Sequence, residues 1–126
     1  GFVFGLDEQR PNKVFAILCE GQIDAIHIEG CALGGSEINE QQTMLLNKLQ
    51  KQIIVVPDRD SSGKKLVEQA IANEWSVSLP DWESEVNDIS DAVSKYGRLY
   101  TLHSIVTTAE ESPLKIRLKV KKWFKN

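Results

Sequence analysis

The chain is poor in the residues that build covalent or thiolate-metal scaffolds. Only two of its 126 residues are cysteine, Cys19 and Cys31, and they lack a CxxC spacing. That excludes a disulfide-stapled fold and a zinc ribbon, and the expected setting is reducing and cytoplasmic. Histidine is equally scarce. His27 and His103 have no partner motif, so both read as surface or packing residues. No apolar run approaches the ~20 residues of a membrane helix. No charged segment followed by an apolar stretch marks a secretory signal. There is no internal repeat and no low-complexity segment. The first residue is Gly1 and not Met, which fits an excised or processed piece of a longer chain.

Basic charge is also scarce over most of the length. The net charge is −3, yet residues 113–126 hold six bases (Lys115, Arg117, Lys119, Lys121, Lys122, Lys125) and no acid. The rest carries nine bases against eighteen acids. Such a body is not a generic polyanion binder, which would be basic. It suits a site that holds divalent cations, although most of the acids simply solvate the surface. The basic tail either touches nucleic acid or dresses a helix; composition does not separate the two.

What is present is an ordinary globular content, 41% hydrophobic, in one domain's length of chain. Residues Val14 to Cys19 form a continuous apolar run, the pattern of a strand buried on both faces. Ile53-Ile54-Val55-Val56 repeats it with β-branched residues. Cys31-Ala32-Leu33 and Trp75 to Leu79 are weaker strand patterns. Helical stretches lie between: Ile23 to Glu29, a helix from Glu37 to Gln50 capped by Ser36 with Met44, Leu45 and Leu49 on one side, another from Ser61 or Ser62 through Ile71, and Asp88 to Tyr96 stopped by Gly97. Alternation of this kind predicts an α/β fold with a roughly four-stranded parallel sheet and right-handed crossovers. The first dozen residues read as a helical lead-in. Leu114, Ile116, Leu118 and Val120 alternate like a strand, but Ser112-Pro113 is a helix start, and the tail is expected to be helical.

In an open parallel sheet, ligands bind beyond the carboxyl ends of the strands. Glu20-Gly21 and then Asp24 follow the first run. Pro57-Asp58-Arg59-Asp60 and then Gly63 follow the third. An acidic loop leading to Asn87-Asp88 and Asp91 follows the fourth. Three strand ends thus deliver carboxylates to one edge. Clustered carboxylates repel and shift their pKa values upward unless a cation neutralises them. Mg²⁺ does so with one or two protein carboxylates while bridging to substrate phosphates.

Three segments taken together carry a resemblance. They are Ile17-Leu18-Cys19-Glu20-Gly21-Gln22-Ile23-Asp24-Ala25-Ile26, Ala32-Leu33-Gly34-Gly35, and Ile54-Val55-Val56-Pro57-Asp58-Arg59-Asp60-Ser61-Ser62-Gly63-Lys64. The set resembles the Toprim domain shared by topoisomerases and primases, most of all that of bacterial and phage replicative primases. Phe4-Gly5-Leu6-Asp7-Glu8 resembles the helix preceding it. Asn87-Asp88-Ile89-Ser90-Asp91-Ala92-Val93 resembles the Asp-rich motif after the fourth strand. The likeness spans roughly residues 3 to 97.

The resemblance implies a Toprim-like catalytic core over 13–97, with a lead-in over 1–12 and a helical segment with a basic tail over 98–126. It implies metal-dependent nucleotidyl transfer that makes RNA primers on a single-stranded DNA template from nucleoside triphosphates. The cofactor would be Mg²⁺ or Mn²⁺ and a partner would be a replicative helicase, with no membrane involved. The cell would be bacterial or phage-infected. In the family, positions matching Glu20, Asp58 and Asp60 form the catalytic and metal site, and positions matching Asp24 and Asp88 add carboxylates. Glu20 is then either a metal ligand or a general acid or base. Arg59 stands where many primases have Gly, and Ser62 where many have Ala. Arg59 would face phosphate or pair with an acid, and Lys64 would reach phosphate. The zinc-binding module and basic subdomain of family primases are not in these residues, so the chain alone is expected to bind metal weakly and make little primer.

Other readings compete. Asp58 to Gly63 fits the opening of an EF-hand loop, but Gln69 stands where that loop needs Glu. An Asp-nucleophile phosphohydrolase fits Asp58-x-Asp60 but not Glu20-Gly21-x-x-Asp24. A Toprim nuclease or topoisomerase piece would need a nucleophilic Tyr, for which Tyr96 and Tyr100 are poorly placed. A non-catalytic Toprim module docking DNA through its basic tail is a further alternative. Trp75, Trp82, Trp123 and Phe124 read mainly as packing residues, with Trp82, flanked by acids, the strongest candidate for base stacking.

Overall fold

A computed structural model describes residues 2–35 and 37–124; Ser36, the expected helix cap, and Lys125 of the basic tail lie outside them. The elements, in chain order, are β1 (Phe15–Cys19), α1 (Gln22–Ile28), β2 (Cys31–Ala32), α2 (Glu40–Asn47), β3 (Gln52–Val55), α3 (Ser61–Ala72), β4 (Ser76–Val77), α4 (Ile89–Tyr96), α5 (Arg98–Thr108) and α6 (Pro113–Trp123). All four strands pair in parallel in the order β2-β1-β3-β4. The two central strands take in most of the two continuous apolar runs, which only a doubly covered position can bury; Val14, expected in the first strand, precedes β1 and is 76% exposed. From Ala16 to Cys19 and from Ile53 to Val56 every residue is buried.

The chain first steps from β1 outward to β2, then crosses back over β1 to β3 and on to β4. The direction of winding therefore reverses between β1 and β3. With right-handed crossovers, that reversal sets α1 and the pair α2 and α3 on opposite faces. Helices α1, α4 and α5 pack together. On the other face the Gln69 side chain of α3 is bonded to both backbone groups of Ile38, just before α2. Ile105, Ile116, Trp123 and Phe124 join the same buried cluster as the sheet, so α5 and α6 are part of the core.

Each outer strand is covered by one antiparallel bridge. Phe4 exchanges two 2.9 Å backbone hydrogen bonds with Ala32 of β2, and Glu110 exchanges two of 2.9 Å with Val77 of β4. The bridge at Phe4 replaces the expected lead-in helix, of which one 3-10 turn, Leu6–Glu8, is formed. Helix α2 is also shorter than expected and starts later. Asn39 accepts from the backbone N–H of Gln42 at 2.8 Å while the Gln42 side chain accepts from the N–H of Asn39 at 3.1 Å, and this reciprocal cap fixes the start. Its buried apolar residue is Leu46, whereas Met44, expected inward, is 60% exposed. The basic tail is helical as expected, with Ser112 as cap and Pro113 in the first turn. Among the described residues no helix is long and apolar enough to cross a membrane.

Gly63 shows how tightly the turn after β3 is drawn. A Cβ there would lie 2.2 Å from the Asp58 carbonyl oxygen and 2.9 Å from Phe124 Cε1. Gly63→Ala is expected to cost about 1–3 kcal/mol through this overlap, read as a lower denaturation midpoint in urea. Leu46→Ala is expected to cost about 2–5 kcal/mol by leaving a cavity under α2, read in the same way; a cost below about 1 kcal/mol would refute its full burial.

Candidate functional site

The reversal between β1 and β3 opens the sheet's carboxyl edge where ligands enter such folds. Glu20 follows β1 directly, and Asp24 sits one turn into α1. Asp58 lies three residues past β3. Asp88 caps α4, its Oδ1 accepting the Asp91 N–H at 2.8 Å. Among the described residues, Asp24, Asp58 and Asp88 each turn a carboxylate oxygen to within 4.8 Å of the others. No other trio of acids, Cys or His is drawn together in this way among them.

Glu20 and Asp60, the other two acids expected at the site, stand beside this trio. Glu20 is 8% exposed, and its Oε2 accepts the Asp58 backbone N–H at 2.8 Å. Asp60 caps α3: its Oδ1 accepts from the N–H groups of Ser62 and Gly63 and from the Ser62 hydroxyl. Asp91 accepts the Asn87 N–H at 3.0 Å and stays outside the trio. Lys64 lies in the first turn of α3 with its Nζ 5.9 Å from the centre of the Phe124 ring.

Sequence reasoning passed over Ser90. Its backbone N–H donates to Asp24 Oδ1 at 2.8 Å and its hydroxyl donates to the same oxygen, tying α4 to α1 beside the trio. The available signal was its place two residues after Asp88, in the first turn of the helix that Asp88 caps. Arg59, expected to face phosphate or pair with an acid, turns elsewhere. Its guanidinium donates to four backbone carbonyls, those of Trp82, Glu83, Val86 and Trp123, because its side chain turns from the acids toward the loop after β4. Trp82 is also not a stacking platform. It is 4% exposed and donates from Nε1 to Ser104 Oγ at 3.0 Å. The Asp58 segment leaves a strand and not a helix, which removes the EF-hand reading.

The electrostatics follow from burial of like charges. Burial, and then the charges of Glu20, Asp24, Asp88 and Asp60, push the Asp58 carboxyl from 3.8 up to about 7. Burial also raises Glu20 and Asp88; the Asp58 and Asp91 N–H groups respectively pull them partly back. A half-buried all-oxygen set of three carboxylates, one of them inclined to keep its proton, fits a hard divalent cation, which would remove the mutual repulsion.

Fold and site together define a carboxylate-bearing α/β domain that opens at a winding reversal. The family model described as Toprim-like matches residues 17–93, more than half of the chain, and the chain belongs to that family. The solved structure of the Aquifex aeolicus primase, comprising its zinc-binding and RNA polymerase domains, superposes with a TM-score of 0.70 at 23% identity. The match covers 95% of this chain and 32% of that one, so this chain spans about a third of that protein's length. No curated protein matches the sequence.

The folded state holds the Asp58 proton more tightly than the unfolded chain does. Between 3.8 and about 7 the folded state therefore binds more protons, and stability drains away as pH rises through that interval. Melting temperatures in EDTA from about pH 4 to about pH 8 are expected to fall for wild type relative to Asp58→Asn. Parallel curves for the two proteins would refute this.

Proposed function

We propose that this chain is the catalytic core of a primase-type nucleotidyltransferase, making RNA primers on single-stranded DNA from nucleoside triphosphates. The observation that best supports this reading is the convergence of Asp24, Asp58 and Asp88 at the winding reversal of a Toprim-like domain. The fold likeness to a primase polymerase domain agrees with it. The zinc-binding and template-holding parts of such an enzyme, and its contact with a replicative helicase, would belong to other segments.

Asp24, Asp58 and Asp88 are the residues that would hold Mg²⁺ or Mn²⁺, with Glu20 and Asp60 adding negative charge beside them. A divalent cation at that position supplies positive charge for the phosphoryl oxygens and lowers the pKa of the attacking hydroxyl. The 3′-hydroxyl of the primer attacks the α-phosphorus, the bond to pyrophosphate breaks, and pyrophosphate leaves. We assign receipt of the hydroxyl proton to Glu20. Burial raises its pKa above the ordinary carboxylate value, which makes it a stronger base. Its N–H bond from Asp58 holds it in place. Asp60 acts on backbone geometry, fixing the turn into α3 that brings Asp58 to the site.

In calorimetric titration with Mn²⁺, Asp58→Asn and Asp88→Asn are each expected to abolish binding by the chain. Wild-type affinity in both would remove the site assignment. In the full-length protein, Glu20→Gln is expected to lower primer synthesis about 10²- to 10⁴-fold while leaving single-stranded DNA binding unchanged. A fully active variant would favour the non-catalytic docking module. Turnover of a generic phosphate ester that is lost on Asp58→Asn would favour the phosphohydrolase.

A further inference from the structure

Arg59 stands between Asp58 and Asp60, yet its side chain serves a different part of the molecule. Its Nε donates to the Trp123 carbonyl at 2.8 Å. One terminal nitrogen donates to the carbonyls of Glu83 at 2.9 Å and Val86 at 3.0 Å, and the other to that of Trp82 at 3.3 Å. The guanidinium carbon lies 4.9 Å from the centre of the Trp123 ring. Its own backbone N–H donates to the Asn87 carbonyl at 2.8 Å. The residue next in sequence to Asn87 is Asp88, a member of the acidic trio.

The acceptors make the arrangement specific. All four are main-chain carbonyls, three from the loop that delivers Asp88 and one from the end of α6. That loop lies between β4 and α4, where main-chain carbonyls have no ladder to join and need donors from elsewhere. A planar fork with donors on three nitrogens reaches carbonyls spread over several segments in one fixed geometry, which a compact ammonium group does not reproduce. Trp123 is fixed in turn by its Nε1, which donates to the Pro80 carbonyl at 2.6 Å, at the other end of the same loop. Arg59 and Trp123 thus hold carbonyls at both ends of the loop, whose middle is also tied by Trp82 to Ser104 and by the Glu83 N–H to the Tyr96 hydroxyl, and the arginine leaves the chain beside Asp58.

We propose that Arg59 is a positioning residue, which holds Asp88 in register with Asp58 and Asp24 and makes that register depend on α6 being docked. The inference about cation affinity rests on the reading of the trio as a cation site; the inference about register does not. Two backbone amides report the register directly. Ser90 N–H is bonded to Asp24 Oδ1, and Asp91 N–H to Asp88 Oδ1.

The test uses the whole chain with Arg59→Gln and, to keep the experiment decisive should that variant not fold, Arg59→Lys. Hydrogen exchange is expected to show lost protection at the Ser90 and Asp91 amides, with β1 and α3 amides retained, and a smaller loss in the lysine variant. The Mn²⁺ dissociation constant is expected to rise about tenfold in Arg59→Gln, the usual effect of releasing a group that orients a metal ligand. Leu46→Ala, which loosens the core under α2, serves as a control and is expected to leave the Mn²⁺ constant unchanged and to show no loss at Ser90 and Asp91 beyond that of the β1 amides. Wild-type protection at Ser90 and Asp91 in a folded Arg59 variant would overturn the proposal. So would an equal loss of protection in Leu46→Ala, which would make the role one of general stability. Should wild type bind no Mn²⁺, the metal reading falls by itself, and the exchange result alone decides the role of Arg59.

Discussion

The structure is organised around the meeting of like charges where water is thin. Three carboxylates within 4.8 Å of one another, with Glu20 and Asp60 alongside, repel strongly in a half-buried setting. Hydrophobic burial under the sheet has to outweigh that repulsion. It does so through two central strands in which Ala16 to Cys19 and Ile53 to Val55 are all buried. The same strands aim the acids, since Glu20 and Asp58 follow them and lie on either side of the winding reversal.

The acids are held by main-chain donors. Glu20 takes the N–H of Asp58, Asp24 that of Ser90, Asp88 that of Asp91, and Asp60 those of Ser62 and Gly63. A carboxylate bonded to a backbone amide is both oriented and partly neutralised without any lysine or arginine in the role. Two of these acids, Asp60 and Asp88, also cap helices, so the elements that build the fold and the groups that shape the site are fixed by the same bonds. Cross-linking runs between distant segments: β1 to the turn after β3, and α1 to α4.

Much of this was legible in the sequence because burial leaves a direct trace. Continuous β-branched and apolar runs marked β1 and β3, and acids placed after strands marked the edge where Asp24, Asp58 and Asp88 meet. Short signals were less reliable. The Phe4 segment forms an edge bridge and not a helix, because two hydrogen bonds to Ala32 depend on a neighbour far along the chain. Asn39 and Gln42 set the start of α2 through a reciprocal cap that the apolar pattern of the helix does not reveal. Arg59, expected to face phosphate or pair with an acid, donates instead to main-chain carbonyls, because position beside two aspartates says nothing about which way a long side chain turns. The trio itself, with Glu20 and Asp60 standing beside it, is a matter of angle and not of order along the chain.

The paired bridges at Phe4 and Glu110 carry a consequence beyond the site. An open row of strand amides and carbonyls is a template onto which a foreign strand can add. Here each rim of the sheet is plugged by a single residue, held by two hydrogen bonds, from a segment far away in the chain. A lesion that frees either plug would leave the acidic cluster in place and bare a strand edge, so resistance to edge-to-edge pairing is held by residues remote from the acids.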